Sequence, residues 1–164
     1  MATDDAVETA WRIHDALADW TGKVDAKASF ALTLESAVLG ALAAFSGTGH
    51  RFGHLHGALP KTLFWLGVLL LGLSAVVSAL VVVPRLAGQD GGTPRTNFVY
   101  FGDLRLWDPE LLATRLTDTS PLQSLTRQLV VMSRIAWIKH RRVQLSFALA
   151  GAGTLAVALA WTTG

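Results

Sequence analysis

Twenty-one consecutive residues, Leu63 to Val83, carry no ionisable side chain, and Lys61 and Arg85 flank the run on either side. Coiled as an α-helix at about 1.5 Å per residue, the run is about 30 Å long, the thickness of a bilayer's hydrocarbon core. Val143 to Thr163 is also uncharged, and Ala28 to Ser46 carries Glu35 as its one charge. A chain of 164 residues has too small a core to bury three such helices away from solvent. With 51% hydrophobic and 16% charged residues, the charges it does have are segregated between the apolar runs. The expected fold is therefore an all-α membrane protein with three transmembrane helices, at 28–46, 63–83 and 143–163.

Lys and Arg give the orientation. Three precede the first span, two lie between the first and second, and nine lie between the second and third. With three spans the first and last groups share a side, so twelve positive charges oppose two, and the richer side is expected to be the cytoplasm. This places the N-terminus and the 84–142 segment on the cytoplasmic side of the membrane. The acidic opening, with Asp4, Asp5 and Glu8 before any apolar run, does not read as a signal peptide.

The segments outside the spans read as helical. Val7, Trp11, His14 and Ala18 recur every three or four residues, which predicts a cytoplasmic helix over 5–27 that runs on into span one. Ser120-Pro121 offers an N-cap followed by a first-turn proline, and Leu122, Leu125, Leu129, Met132 and Ala136 continue the stripe, predicting a helix over 121–142 that enters span three. Between them, 84–120 is punctuated by Gly88, Gly91, Gly92, Pro94 and Pro109. Asn97 to Phe101 is aromatic and β-branched, so a short extended or β-like segment is expected there, then a short helix from Asp108-Pro109-Glu110 to about Thr117. The whole, 1–164, is expected to act as one membrane domain.

Glu35 stands out chemically. A carboxylate inside a span is costly, and two roles suit it: an interhelical bond to a hydroxyl such as Ser36, Ser74 or Ser78, or a gating part in permeation. Ser74-x-x-x-Ser78 and Gly151-Ala152-Gly153 are small-residue faces that allow close helix approach. Enzyme readings find little. There is no cysteine, no phosphate-binding glycine loop and no nucleophile elbow, and the external His50, His54 and His56 lack an accompanying carboxylate, so no metal, cofactor or catalytic residue is expected. The basic charge follows topology and does not call for nucleic acid.

Three segments carry a resemblance. Asp25-Ala26-Lys27-Ala28-Ser29 at the mouth of span one, Asn97 to Asp103 in the insert, and Gln128, Leu129, Ser133, Ile135 and Lys139 on the helix entering span three resemble, in that order, the motifs of the Pycsar effector transmembrane family, over roughly residues 8 to 160. The resemblance implies an antiphage defence effector. In that family a partner nucleotide cyclase makes a cyclic pyrimidine mononucleotide, cyclic CMP or cyclic UMP, and the effector answers by impairing the inner membrane in abortive infection. The alternatives are a non-gating membrane scaffold or adaptor, and an effector answering another nucleotide.

Such a ligand presents one phosphate, ribose hydroxyls and a flat base. It needs one or two cations, hydrogen-bonding side chains and an aromatic plate. Lys27, Arg95, Arg134 and Lys139 offer charge, Asn97, Asp103, Gln128 and Ser133 hydrogen bonds, and Tyr100 a ring. Against this, Lys139, Arg141 and Arg142 suit headgroup anchors, and Lys27 with Asp25 suits an interfacial pair. Three spans alone enclose no conducting path, so a homo-oligomer in the bilayer is expected.

Overall fold

The computed structural model describes residues 2–47, 56–83 and 98–163. They form five helices: α1 (Ala2–Phe45), α2 (Ala58–Val82), α3 (Phe101–Leu104), α4 (Pro109–Asp118) and α5 (Leu122–Thr163). Three of these are long and apolar enough to cross a membrane. At 44 and 42 residues, α1 and α5 are about 66 and 63 Å long, roughly twice a hydrocarbon core, so each has a half to spare outside it. Both predicted cytoplasmic helices are thus continuous with their spans. No strand occurs among the described residues. Where an extended segment was expected, Phe98 to Tyr100 is irregular and a turn of helix starts at Phe101, with Phe98 buried and edge-on to Trp107 at 6.5 Å. Side-chain packing here, not a strand ladder, uses the aromatic residues.

The chain divides into two compact units. Residues 23–83 and 139–164 form a three-helix unit, and residues 1–22 and 84–138 form the other. In the three-helix unit α2 buries Pro60, Phe64, Gly67, Leu71, Ser74, Ser78 and Val81, at alternating steps of four and three. A seven-residue repeat of this kind is the seam of a left-handed supercoil. The same period runs through the buried positions of α1 (Val24, Ala28, Ala31, Glu35, Leu42) and of α5 (Val143, Ser146, Gly153, Ala160). Val24, Ala28, Val81 and Val143 form one apolar layer, and Leu42, Phe64, Leu71 and Ala160 another. Small residues dominate inside, while Phe30, Trp65, Leu69 and Leu155 are more than half exposed. Large apolar side chains outward and small ones inward is the packing expected of helices in lipid.

Gly67 and Gly153 meet where α2 and α5 pack together. A Cβ on Gly67 would lie 2.6 Å from Val157 Cγ2 and 2.8 Å from the Gly153 carbonyl, and one on Gly153 would lie 2.9 Å from the Gly67 carbonyl. Only hydrogen fits there, which lets α2 and α5 touch backbone to backbone.

In the other unit the described buried residues of α1 are Ala10 and Leu17; of the Val7, Trp11, His14, Ala18 stripe read from the sequence, Val7 and His14 are half-buried and Trp11 and Ala18 are exposed. The small seam residues carry the packing and the bulky tryptophan lies beside it. Helix α4 begins where expected, because Asp108 Oδ1 accepts from the amides of Glu110 at 3.0 Å and Leu111 at 3.2 Å, with Pro109 in the first turn. Leu125 of α5 is fully buried.

Candidate functional site

Midway along the three-helix unit the seam turns polar. Glu35 on α1, Ser74 and Ser78 on α2 and Ser146 on α5 are all buried, at 4, 0, 0 and 1% exposure. The Ser74 hydroxyl lies against Glu35 Oε1 and 2.7 Å from the Ser146 carbonyl oxygen. Ser146 Oγ donates to Glu35 Oε1 at 3.2 Å and lies 2.7 Å from Ser78 Oγ. Glu35 is thereby tied to both other helices, and two serines, one helical turn apart, share the third. Glu35 Oε2 is buried without a hydrogen-bond partner. A half-satisfied buried carboxyl is a costly group to hold in place, and its cost falls on the helix packing that encloses it.

Of the partners foreseen for Glu35, Ser74 reaches it and Ser78 belongs to the same layer through Ser146, whereas Ser36 is exposed. Ser146 was not foreseen, since a serine inside an uncharged run carries no signal of its own. Its signal is the period: Lys139, Ser146, Gly153 and Ala160 follow one another every seven residues.

A second polar contact lies in the same unit. Lys139 Nζ donates to both carboxylate oxygens of Asp25, at 2.6 and 2.7 Å, tying α5 to α1. The pair expected between Lys27 and Asp25 does not form. Residues two apart on a helix point to different sides, so Lys27 is exposed while Asp25 turns to α5. Arg142 Nη1 donates to the Leu80 carbonyl at 3.4 Å, linking α5 to the end of α2.

The remaining ligand candidates differ in burial. Tyr100 and Asp103 are half-buried, and Tyr100 accepts the Asp103 amide at 3.1 Å through its carbonyl, with its ring packed over Gly102. Gln128 is half-buried; Ser133 is exposed and spends its hydroxyl on the Val130 carbonyl at 2.9 Å; Arg134 is exposed. Arg95 and Asn97 lie outside the described residues, as do His50 and His54. Two hollows line α4 instead. One of about 390 Å³ has Trp107 and Arg115 on its walls between Asp108 and Asp118. A groove of about 580 Å³ between the start of α1 and the α4–α5 turn is lined by Asp4, Glu8 and Asp118 and by no cation. An anion fits the first better than the second, and neither had been read from the sequence.

No curated protein and no solved structure matches the chain. The model of one family, PycTM, described as the Pycsar effector protein domain, matches residues 9–164. That span takes in α2, α5 and all of α1 after its first seven residues, with the Asp25–Lys139 pair and the polar layer at Glu35, so the chain belongs to the Pycsar effector family and is a membrane-spanning antiphage defence effector.

Proposed function

We propose that this effector answers a cyclic pyrimidine mononucleotide made by a partner cyclase and impairs the inner membrane, stopping the infected cell. The single observation that carries the reading is the family match over 9–164 on a chain whose interhelical seam holds a carboxyl group. A purely structural three-span anchor needs no such group, whereas an element with two packings gains from one whose bonding is incomplete in the resting arrangement. The N-terminus and 84–142 face the cytoplasm, where the nucleotide is made. Binding there favours one arrangement of α1 and α5, and both helices carry it without a break into the spans. The chain works as a homo-oligomer, without enzymatic activity or a bound cofactor.

Purified protein in detergent should gain thermal stability with cyclic CMP or cyclic UMP and not with the linear 5′-monophosphates. A ligand at a hundred times its Kd contributes about 2.7 kcal/mol, enough to read as a shift of several degrees. No shift with any cyclic nucleotide would remove the signalling half of the proposal.

A further inference from the structure

The polar layer of the three-helix unit gathers six oxygen atoms: both carboxyl oxygens of Glu35, the hydroxyls of Ser74, Ser78 and Ser146, and the Ser146 carbonyl. They come from α1, α2 and α5, and the hydrogen-bonded contacts among them are 3.2 Å or shorter. An apolar layer lies on each side along all three helices, Val24, Ala28, Val81 and Val143 on one and Leu42, Phe64, Leu71 and Ala160 on the other. The oxygens are thus held together between two dry layers of the seam.

What the layer lacks is positive charge. On α1 the nearest charged side chain is Lys27, eight residues before Glu35; on α2 it is Lys61, thirteen before Ser74; on α5 it is Arg142, four before Ser146. Arg142 donates to the Leu80 carbonyl, and Lys139, a turn further out, is taken by Asp25. Among the described residues no cationic side chain bonds Glu35. Its Oε2 is buried, in a residue 4% exposed, and has no donor at all. A water molecule at Oε2 would complete its hydrogen bonding and leave the carboxylate charge unbalanced in hydrocarbon. A cation answers both needs.

We infer that the layer of Glu35, Ser74, Ser78 and Ser146 is a binding site for a monovalent cation, a proton or an alkali-metal ion, between the three spans. One carboxyl group balances one positive charge, so a divalent ion would bring excess charge into the bilayer. Hard cations take oxygen ligands, and a hydroxyl can turn either its hydrogen toward a carboxylate or its lone pairs toward a metal ion. Backbone carbonyls at membrane depth serve the same ions. Because the ligands belong to three helices, the bound ion ties α1, α2 and α5 at one point, and its loss loosens them there. The site goes beyond the nucleotide reading and does not depend on it.

Thermal unfolding in dodecyl maltoside, at constant ionic strength in chloride salts of sodium, potassium or N-methylglucamine, reads the site. If the ion is an alkali metal, sodium or potassium at about ten times its Kd should raise the wild-type midpoint by about 3–6 °C over N-methylglucamine, which is too large to enter. If it is a proton, the three salts should be equivalent, and the wild-type midpoint should rise relative to that of E35Q as the pH falls. E35Q, a neutral amide of the same shape, should answer neither change. Wild-type and E35Q midpoints that move in parallel with both salt and pH would overturn the site. Where E35Q does not fold, modification of Glu35 in the wild-type chain by dicyclohexylcarbodiimide, mapped by mass, decides. The reagent attacks a protonated carboxyl group, so the rate should fall severalfold as pH rises, and for an alkali ion also as its concentration rises; a rate indifferent to both overturns the site. A protein that ignores cyclic CMP and cyclic UMP yet shows the cation response loses the signalling reading and keeps the site, and a nucleotide response without a cation response does the reverse.

Discussion

Replacing Ser74 by alanine tests how firmly the Glu35 layer ties the helices. The Ser74 hydroxyl lies against Glu35 Oε1 and 2.7 Å from the Ser146 carbonyl, and in its absence the hydroxyl of Ser146, at 3.2 Å, is the remaining donor to the carboxyl group. Interhelical hydrogen bonds in membranes average about 0.6 kcal/mol and reach about 1.7. The single Ser74 proton serves one of these two acceptors at a time, so S74A should cost about 0.6–1.7 kcal/mol. E35A loses the Ser74 and Ser146 bonds and should cost a similar amount. Because the Glu35–Ser74 bond is counted in both, the double variant should fall short of the sum by about 0.6–1.7 kcal/mol. Reversible unfolding in mixed micelles with increasing dodecyl sulfate, followed by far-ultraviolet circular dichroism, measures all four proteins. Additivity within about 0.3 kcal/mol would mean that Glu35 and Ser74 do not interact, and the polar layer would not be a tie between α1 and α2.

At the α2–α5 crossing, G67A should cost about 1–3 kcal/mol by the same measurement, since its Cβ meets Val157 at 2.6 Å, whereas G151A, which meets nothing within 4 Å, should be neutral or slightly stabilising. Equal effects would show that α2 and α5 do not approach closely. K139A strands a partly buried carboxylate on Asp25 and should cost about 2 kcal/mol, against under about 0.5 for K27A. The reverse order would restore the Lys27–Asp25 pairing read from the sequence.

The spans were legible because hydrocarbon tolerates so little charge: three runs with one carboxylate among them leave few alternatives. The short helix after Asp108 was equally plain, since an aspartate followed by proline fixes both the cap and the first turn. What misled was bulk. Trp11 weighs heavily in any count of hydrophobic spacing, yet helices packed on a seven-residue seam bury Ala10 and Leu17 and leave the tryptophan outside. Ser146 and Gly67 were missed for the complementary reason, because small residues in an apolar run look like filler until the heptad places them inward. The Asp25–Lys139 bond joins positions 114 apart, a distance over which local pattern says nothing. Spread of the ligand candidates over half-buried and exposed sites reflects the same limit: residue type indicates what can bind a phosphate, and only the fold decides which of those residues meet.

The central claim is that a small cyclic nucleotide makes this protein breach a membrane, and reconstituted vesicles test it directly. Vesicles holding a potassium diffusion potential, with the purified chain inserted, should lose that potential within minutes of adding cyclic CMP or cyclic UMP and keep it with linear nucleotides. Vesicles that hold their potential with both cyclic nucleotides, although the protein binds them, would contradict the account and leave a membrane sensor without an effector.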